Sequence, residues 1–150
     1  MKNIVALIDF SDVTFKVLKQ AHTLAKALGS HVVIMHVVPE EPVVIDFGLS
    51  ATVLRPATEE TVKADEAKLL ELQESLTKNG VSASIHQFPT ATMSDILGEC
   101  EKLPADLIIL GSHNHGAIYN LLVGSVTSEI LKQATCPVLV VPADAQPKEG

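Results

Sequence analysis

Ile4-Val5-Ala6-Leu7-Ile8, followed at once by Asp9-Phe10-Ser11, is the stretch that decides the fold. Five apolar residues in a row, β-branched at three positions, read as a strand covered on both faces, the habit of parallel sheets. Directly after it the period changes. Val13, Val17, Leu18, Ala21, Leu24, Ala25 and Leu28 recur at helical spacing, with Asp12 as the expected N-cap and Gly29 as the stop. Strand, short turn, amphipathic helix is the opening of an α/β sheet.

Working outward, the same unit returns. Val32–Val38, Leu107–Leu110 and Val138–Val141 are again almost wholly apolar, whereas Val81–Ile85 alternates with Ser82 and Ser84 and predicts a half-exposed edge strand. Helical periodicity fills the intervals at 59–78, ended by Asn79-Gly80, at 94–102 with Ser94 as expected N-cap, and at about 125–133. The alternation predicts an open parallel α/β sheet of five strands, order 3-2-1-4-5, with helices on both faces and right-handed crossovers. One interval breaks the pattern. Pro39 to Thr58 carries Pro39, Pro42, Gly48 and Pro56 and reads as a long loop, of the kind that is functional or mobile. Residues 1–150 form one domain in this reading, with residues 143–150 a frayed polar tail.

Composition narrows the function. Across 150 residues, 11 Lys and Arg stand against 18 Asp and Glu, a net charge of −7, which repels phosphate backbones and anionic lipid. Aromatic residues are 3% and Trp is absent, so no stacking platform exists for single-stranded nucleic acid. Neither a nucleic acid nor a membrane is therefore an expected partner. The first apolar run ends at Asp9, too short for a signal-peptide core or a membrane span. A cytoplasmic chain with reduced thiols is expected, Cys100 and Cys136 being inert residues in helix and strand settings.

In an open α/β sheet, ligands bind beyond the C-terminal strand ends where the strand order reverses. Asp9-Phe10-Ser11, His36-Val37-Val38 and Gly111-Ser112-His113-Asn114-His115-Gly116 all reach that rim, and Gly124-Ser125 follows. Neither a P-loop nor G-x-G-x-x-G is present, because Ala117-Ile118 stands where a P-loop has Lys and Ser/Thr. Gly124-Ser125 at a helix start offers backbone N–H groups, the dipole and a hydroxyl to an anion. The alternative is a plain structural turn. Asp9 likewise has two readings, a ligand contact or a helix cap. His36, His113 and His115 lack a carboxylate at ligand spacing, so no metal ligand is assigned. No nucleophile elbow or triad context is found, and no Lys or Arg lies between Gly111 and Ile130 to support efficient phosphoryl transfer. No catalytic residue is assigned.

Taken together, Asp9-Phe10-Ser11, His36-Val37, Gly111-Ser112-His113, Leu121-Leu122-Val123-Gly124-Ser125-Val126-Thr127 and the ending Cys136-Pro137-Val138-Leu139-Val140-Val141-Pro142 resemble the universal stress protein family. The resemblance covers almost the whole chain. The family's ATP-binding branch carries G-x2-G-x9-G-S/T; here the positions are Gly111, Asn114 in place of the second glycine, and Gly124-Ser125. What the resemblance implies is ATP or AMP, with or without Mg2+. Asp9 would stand near the ribose, Val37 would meet adenine through its backbone, and Gly111 would flank the ribose. Asn114, Gly124, Ser125 and Val126 would hold the phosphates, and Leu7 completes the nucleotide-binding set. The implied protein is a regulatory stress module with an unidentified protein partner, at most a slow ATPase. It pairs as a homodimer through Val138–Val141, an uncharged edge that would otherwise stay unpaired. Asn114 sustains the alternative of a family member that binds no nucleotide and works through protein contacts. A flavodoxin-like carrier is disfavoured, since Tyr119 is the chain's lone Tyr.

Overall fold

The alternating arrangement of apolar runs folds as two layers of helix around one sheet. The computed structural model describes residues 1–46, 48–88, 92–112 and 128–143. In chain order the elements are β1 (Asn3–Ile8), α1 (Thr14–Leu28), β2 (His31–Val37), β3 (Glu41–Asp46), β4 (Ser50–Arg55), α2 (Glu59–Lys78), β5 (Ala83–Phe88), α3 (Met93–Lys102), β6 (Leu107–Gly111) and β7 (Val138–Val141). Residues 128–133 are helical.

The main sheet has the order β5-β2-β1-β6-β7, and its strand pairs are parallel throughout. Leaving β3 and β4 aside, this is the expected order 3-2-1-4-5. Strand alternation sorts the core into two faces. Ile4, Ala6 and Ile8 point with Val32 and Ile34 towards Val17, Leu18 and Ala21 of α1 and Leu69 and Leu76 of α2. Val5, Val33 and Met35 point the other way, onto Ile96, Leu97 and Cys100 of α3 and onto Ile130. With so few aromatic residues the core is aliphatic, and Ala21 and Ala25 let α1 lie close on the sheet.

Several boundaries differ from the sequence reading, each for a local reason. Pro39 to Thr58 is not a loop. β3 and β4 pair antiparallel from Glu41↔Arg55 to Asp46↔Ser50 around Gly48, whose φ is 86°. Asp46 Oδ1 accepts the Gly48 N–H at 3.0 Å, which closes the turn. The third core strand is Ala83–Phe88 rather than Val81–Ile85, because Val81 N instead donates to Leu76 O in the turn after α2. α1 begins one residue past Val13, and no side chain caps it, so Asp12 is not its N-cap. α3 begins at Met93. Its cap is Thr92, not Ser94, in a reciprocal capping box with Asp95. Cys136 sits in a bend ahead of β7 and is half-buried. The start expected for the last helix, near 125, and the tail after 143 lie outside the described residues. Among the described residues no helix is long and apolar enough to cross a membrane.

Candidate functional site

Register brings the chain's C-terminal strand ends to one rim. Ile8 pairs with His36 at the last position of the register, so Asp9 and Val37 each follow directly after it. Ala6 pairs with Ile109, so Gly111, two residues on, comes level with Ile8. The order reverses between β1 and β6, and Asp9 and Gly111 flank that reversal. Leu7 and Val37 are half-buried and lean on the core face shared with α3. Four of the eight nucleotide-site candidates, Leu7, Asp9, Val37 and Gly111, therefore share this rim. Asn114, Gly124, Ser125 and Val126 lie outside the described residues, as do His113 and His115.

Asp9 is exposed, and its Oδ1 accepts the Ser11 N–H at 3.0 Å. It therefore closes its own turn rather than capping α1. The residue inside that turn is Phe10, the one non-glycine with positive φ among the described residues, at 59°. Left-handed backbone with a Cβ costs about 1 kcal/mol or more, so neighbouring contacts must hold it.

Gly111 has a packing reason for being glycine. A Cβ built there would overlap the γ-methyls of Val13, which is 3% exposed. The end of β6 thus lies directly against the entrance to α1, and Ser112 N donates to Val141 O at 2.9 Å just beyond.

Behind the rim lies a cluster that the sequence reading missed. His36 is a buried core residue, not a metal ligand: Nδ1 is 3.0 Å from Ile8 O and Nε2 is 3.3 Å from Asp65 Oδ2. Phe10 packs on the imidazole, with ring centroids 4.4 Å apart. Lys68 Nζ lies over the Phe10 ring, 5.1 Å from its centre, and 3.9 Å from Asp65 Oδ1. One signal was available. Val62, Asp65, Leu69, Leu72 and Leu76 follow one helical stripe, and an aspartate in an apolar stripe needs a buried partner.

The thiols are remote from the rim. Cys100 and Cys136 line a cleft between α3 and the approach to β7. Burial, then the neighbouring Cys136, pushes the Cys100 thiol up to about 11. Burial, then Asp106, also raises Cys136. Neither is a reactive thiolate. Among the described residues no three His, Cys, Asp or Glu side chains gather to hold a metal ion.

Against known proteins, the sequence model of the universal stress protein family matches residues 1–142. A universal stress protein of Methanocaldococcus jannaschii is 31% identical over 141 residues, 93% of this chain and 81% of that one. Among solved structures, the universal stress protein from Archaeoglobus fulgidus in complex with dAMP superposes with a TM-score of 0.67 at 21% identity, over 94% of this chain and 98% of that one. A family protein from Arabidopsis thaliana with AMP bound gives 0.64 at 15% identity, over 99% and 98%. These likenesses bear out the α/β sheet and its helical layers.

Proposed function

The chain belongs to the universal stress protein family, and on that premise we propose that it binds an adenine nucleotide, ATP or AMP, at the rim where the strand order reverses. The observation that carries the reading is the placement of Asp9 and Gly111 on either side of that reversal, with Val37 at the end of the neighbouring β2. A doubly wound sheet opens its ligand crevice there. In the Archaeoglobus fulgidus and Arabidopsis thaliana proteins the ligands are dAMP and AMP, which favours the adenosine part as the shared element.

In the proposed pose, Asp9 accepts from a ribose hydroxyl with the carboxylate oxygen that does not hold the Ser11 amide. The Val37 backbone meets adenine, and Leu7 lines its apolar side. The phosphates run towards Asn114, Gly124, Ser125 and Val126, where Mg2+ would accompany a triphosphate. The chemistry is binding, and the output is a change in partner choice by a cytoplasmic regulatory module. A homodimer completes the proposal. β7 is an edge of the sheet, uncharged from Val138 to Val141, and two such edges can pair about a two-fold axis.

A second reading rests on Asn114. A side chain where the nucleotide-binding branch has glycine obstructs phosphate approach, and the chain would then act through protein contacts alone. Calorimetry with ATP, ADP, AMP and GTP separates the two. Saturable heat with the adenine nucleotides, lost in Gly124→Val, supports binding. No heat at millimolar nucleotide supports the second reading.

A further inference from the structure

The nucleotide pose leaves His36 unused, yet the hydrogen-bond inventory around it does not balance for a neutral ring. Ile8 O can only accept, so the Nδ1 that faces it at 3.0 Å carries a proton. A neutral imidazole protonated at Nδ1 has only a lone pair at Nε2. That lone pair would meet the oxygen of an ionised Asp65 at 3.3 Å, two acceptors face to face. The contact is a hydrogen bond only if one further proton lies between them. His36 is 2% exposed and Asp65 9%, so bulk water does not relieve the conflict. Lys68 Nζ lies 3.9 Å from the other Asp65 oxygen, so a positive charge stands beside the carboxylate.

We infer that His36 and Asp65 form a buried imidazolium–carboxylate pair that positions the nucleotide site. The pair joins α2 to the end of β2, and through Ile8 O to the end of β1. The same ring supports Phe10 in its left-handed conformation. Phe10 stands between Asp9 and Ser11, whose side chain and amide close the turn. Asp65, which touches no proposed ligand atom, thus sets the direction of Asp9 from 56 residues away in sequence (65 minus 9). The role in binding rests on the nucleotide reading; the shared proton does not.

Two variants separate charge from geometry. In Asp65→Asn the amide can donate to a neutral Nε2, so the tie survives without the extra proton. In Asp65→Ala the tie is gone. Nitrogen-15 spectra of the wild-type imidazole at neutral pH should show both His36 nitrogens protonated, and Asp65→Asn should show the neutral ring with its proton on Nδ1. Exchange of the Ser11 amide should stay near wild type in Asp65→Asn and quicken about tenfold in Asp65→Ala, the size of one charge-assisted hydrogen bond. AMP affinity should follow the same order, weakened about tenfold only in Asp65→Ala. A neutral His36 ring in the wild type overturns the pair, as does a doubly protonated ring in Asp65→Asn. Unchanged Ser11 exchange in Asp65→Ala overturns the positioning role. Absence of AMP binding by the wild type defeats the nucleotide reading and with it the role in binding, while spectra and exchange still decide the pair and the turn. Should Asp65→Ala fail to fold, the Asp65→Asn spectrum and its AMP affinity decide: a loss as large as tenfold there removes the distinction between charge and geometry and overturns the inference.

Discussion

The end of β1 and the β3–β4 hairpin both adjoin the end of β2, and they are held in opposite ways. At the end of β1, Phe10, His36, Asp65 and Lys68 come from three separated segments and meet through side chains. The hairpin is held mainly by its own ladder, six register pairs from Glu41↔Arg55 to Asp46↔Ser50. It is tied to α2 by Thr61 Oγ1, which donates to Glu41 Oε1 at 2.8 Å. Val44 is 68% exposed, Leu49 85% and Leu54 66%. A two-stranded ribbon of this kind is marginal by itself in water. The difference teaches where this protein is sensitive: order built from distant side chains fails when one is lost, whereas a local, solvated ladder loses little.

The largest expected effect follows from Gly111→Val. A branched side chain would drive into Val13 at the close approach of β6 and α1, and overpacking there should cost about 3 kcal/mol. Urea unfolding measures it. A loss under about 1 kcal/mol would mean that the rim yields as easily as the hairpin, which breaks the contrast.

A somewhat smaller effect comes from the opposite core face, where Cys100 is also held by contacts between elements. Its thiol has an ordinary value of 9.0 and is raised to about 11 in the folded chain, chiefly by burial. The unfolded state therefore loses its proton first as the pH rises. The stability associated with the neutral buried thiol is complete below pH 9 and is lost as pH climbs through 11. The slope should be at most about 1.4 kcal/mol per pH unit within that window. Chemical unfolding at about pH 8, 9 and 10, on either side of the ordinary thiol value, should show it, and Cys100→Ala should remove this component. A slope identical in the variant would assign the loss to other groups.

The smallest effect is expected in the hairpin. Val44→Ser removes an exposed side chain from a ladder that the backbone maintains, and stability should change by no more than about 0.5 kcal/mol. A loss above about 2 kcal/mol would show that the hairpin's apolar residues are covered in solution, as they would be against a second protein surface.

The same contrast explains how much could be read from sequence. β1, β2, β6 and β7 were legible because strands buried on both faces are apolar at nearly every residue. Glu59–Lys78 was legible from its stripe and from Asn79-Gly80, and Gly29 ends α1 at φ 66° as expected. The hairpin was not, because Pro39, Pro42, Gly48 and Pro56 carry loop character, while Val43-Val44-Ile45 and Thr52-Val53-Leu54 are short and have no core face. The apolar period alone does not fix a helix start and points to Ser94; Asp95 at the third helical position identifies Thr92. At the rim, the positions of Asp9, Val37 and Gly111 follow from topology, since strand ends are countable. Asp65 did not, because its meaning lies in His36, 29 residues earlier, and only the packing of α2 on the sheet brings them together.

The most direct test of the proposed nucleotide site at the rim is an amide-resolved NMR titration of the wild-type chain with AMP. The account predicts saturable shifts at Asp9, Phe10, Ser11, Val37, Gly111 and Ser112, with Val44, Val53 and Leu54 in the hairpin unmoved. Shifts centred on the hairpin, or none at millimolar AMP, would contradict it.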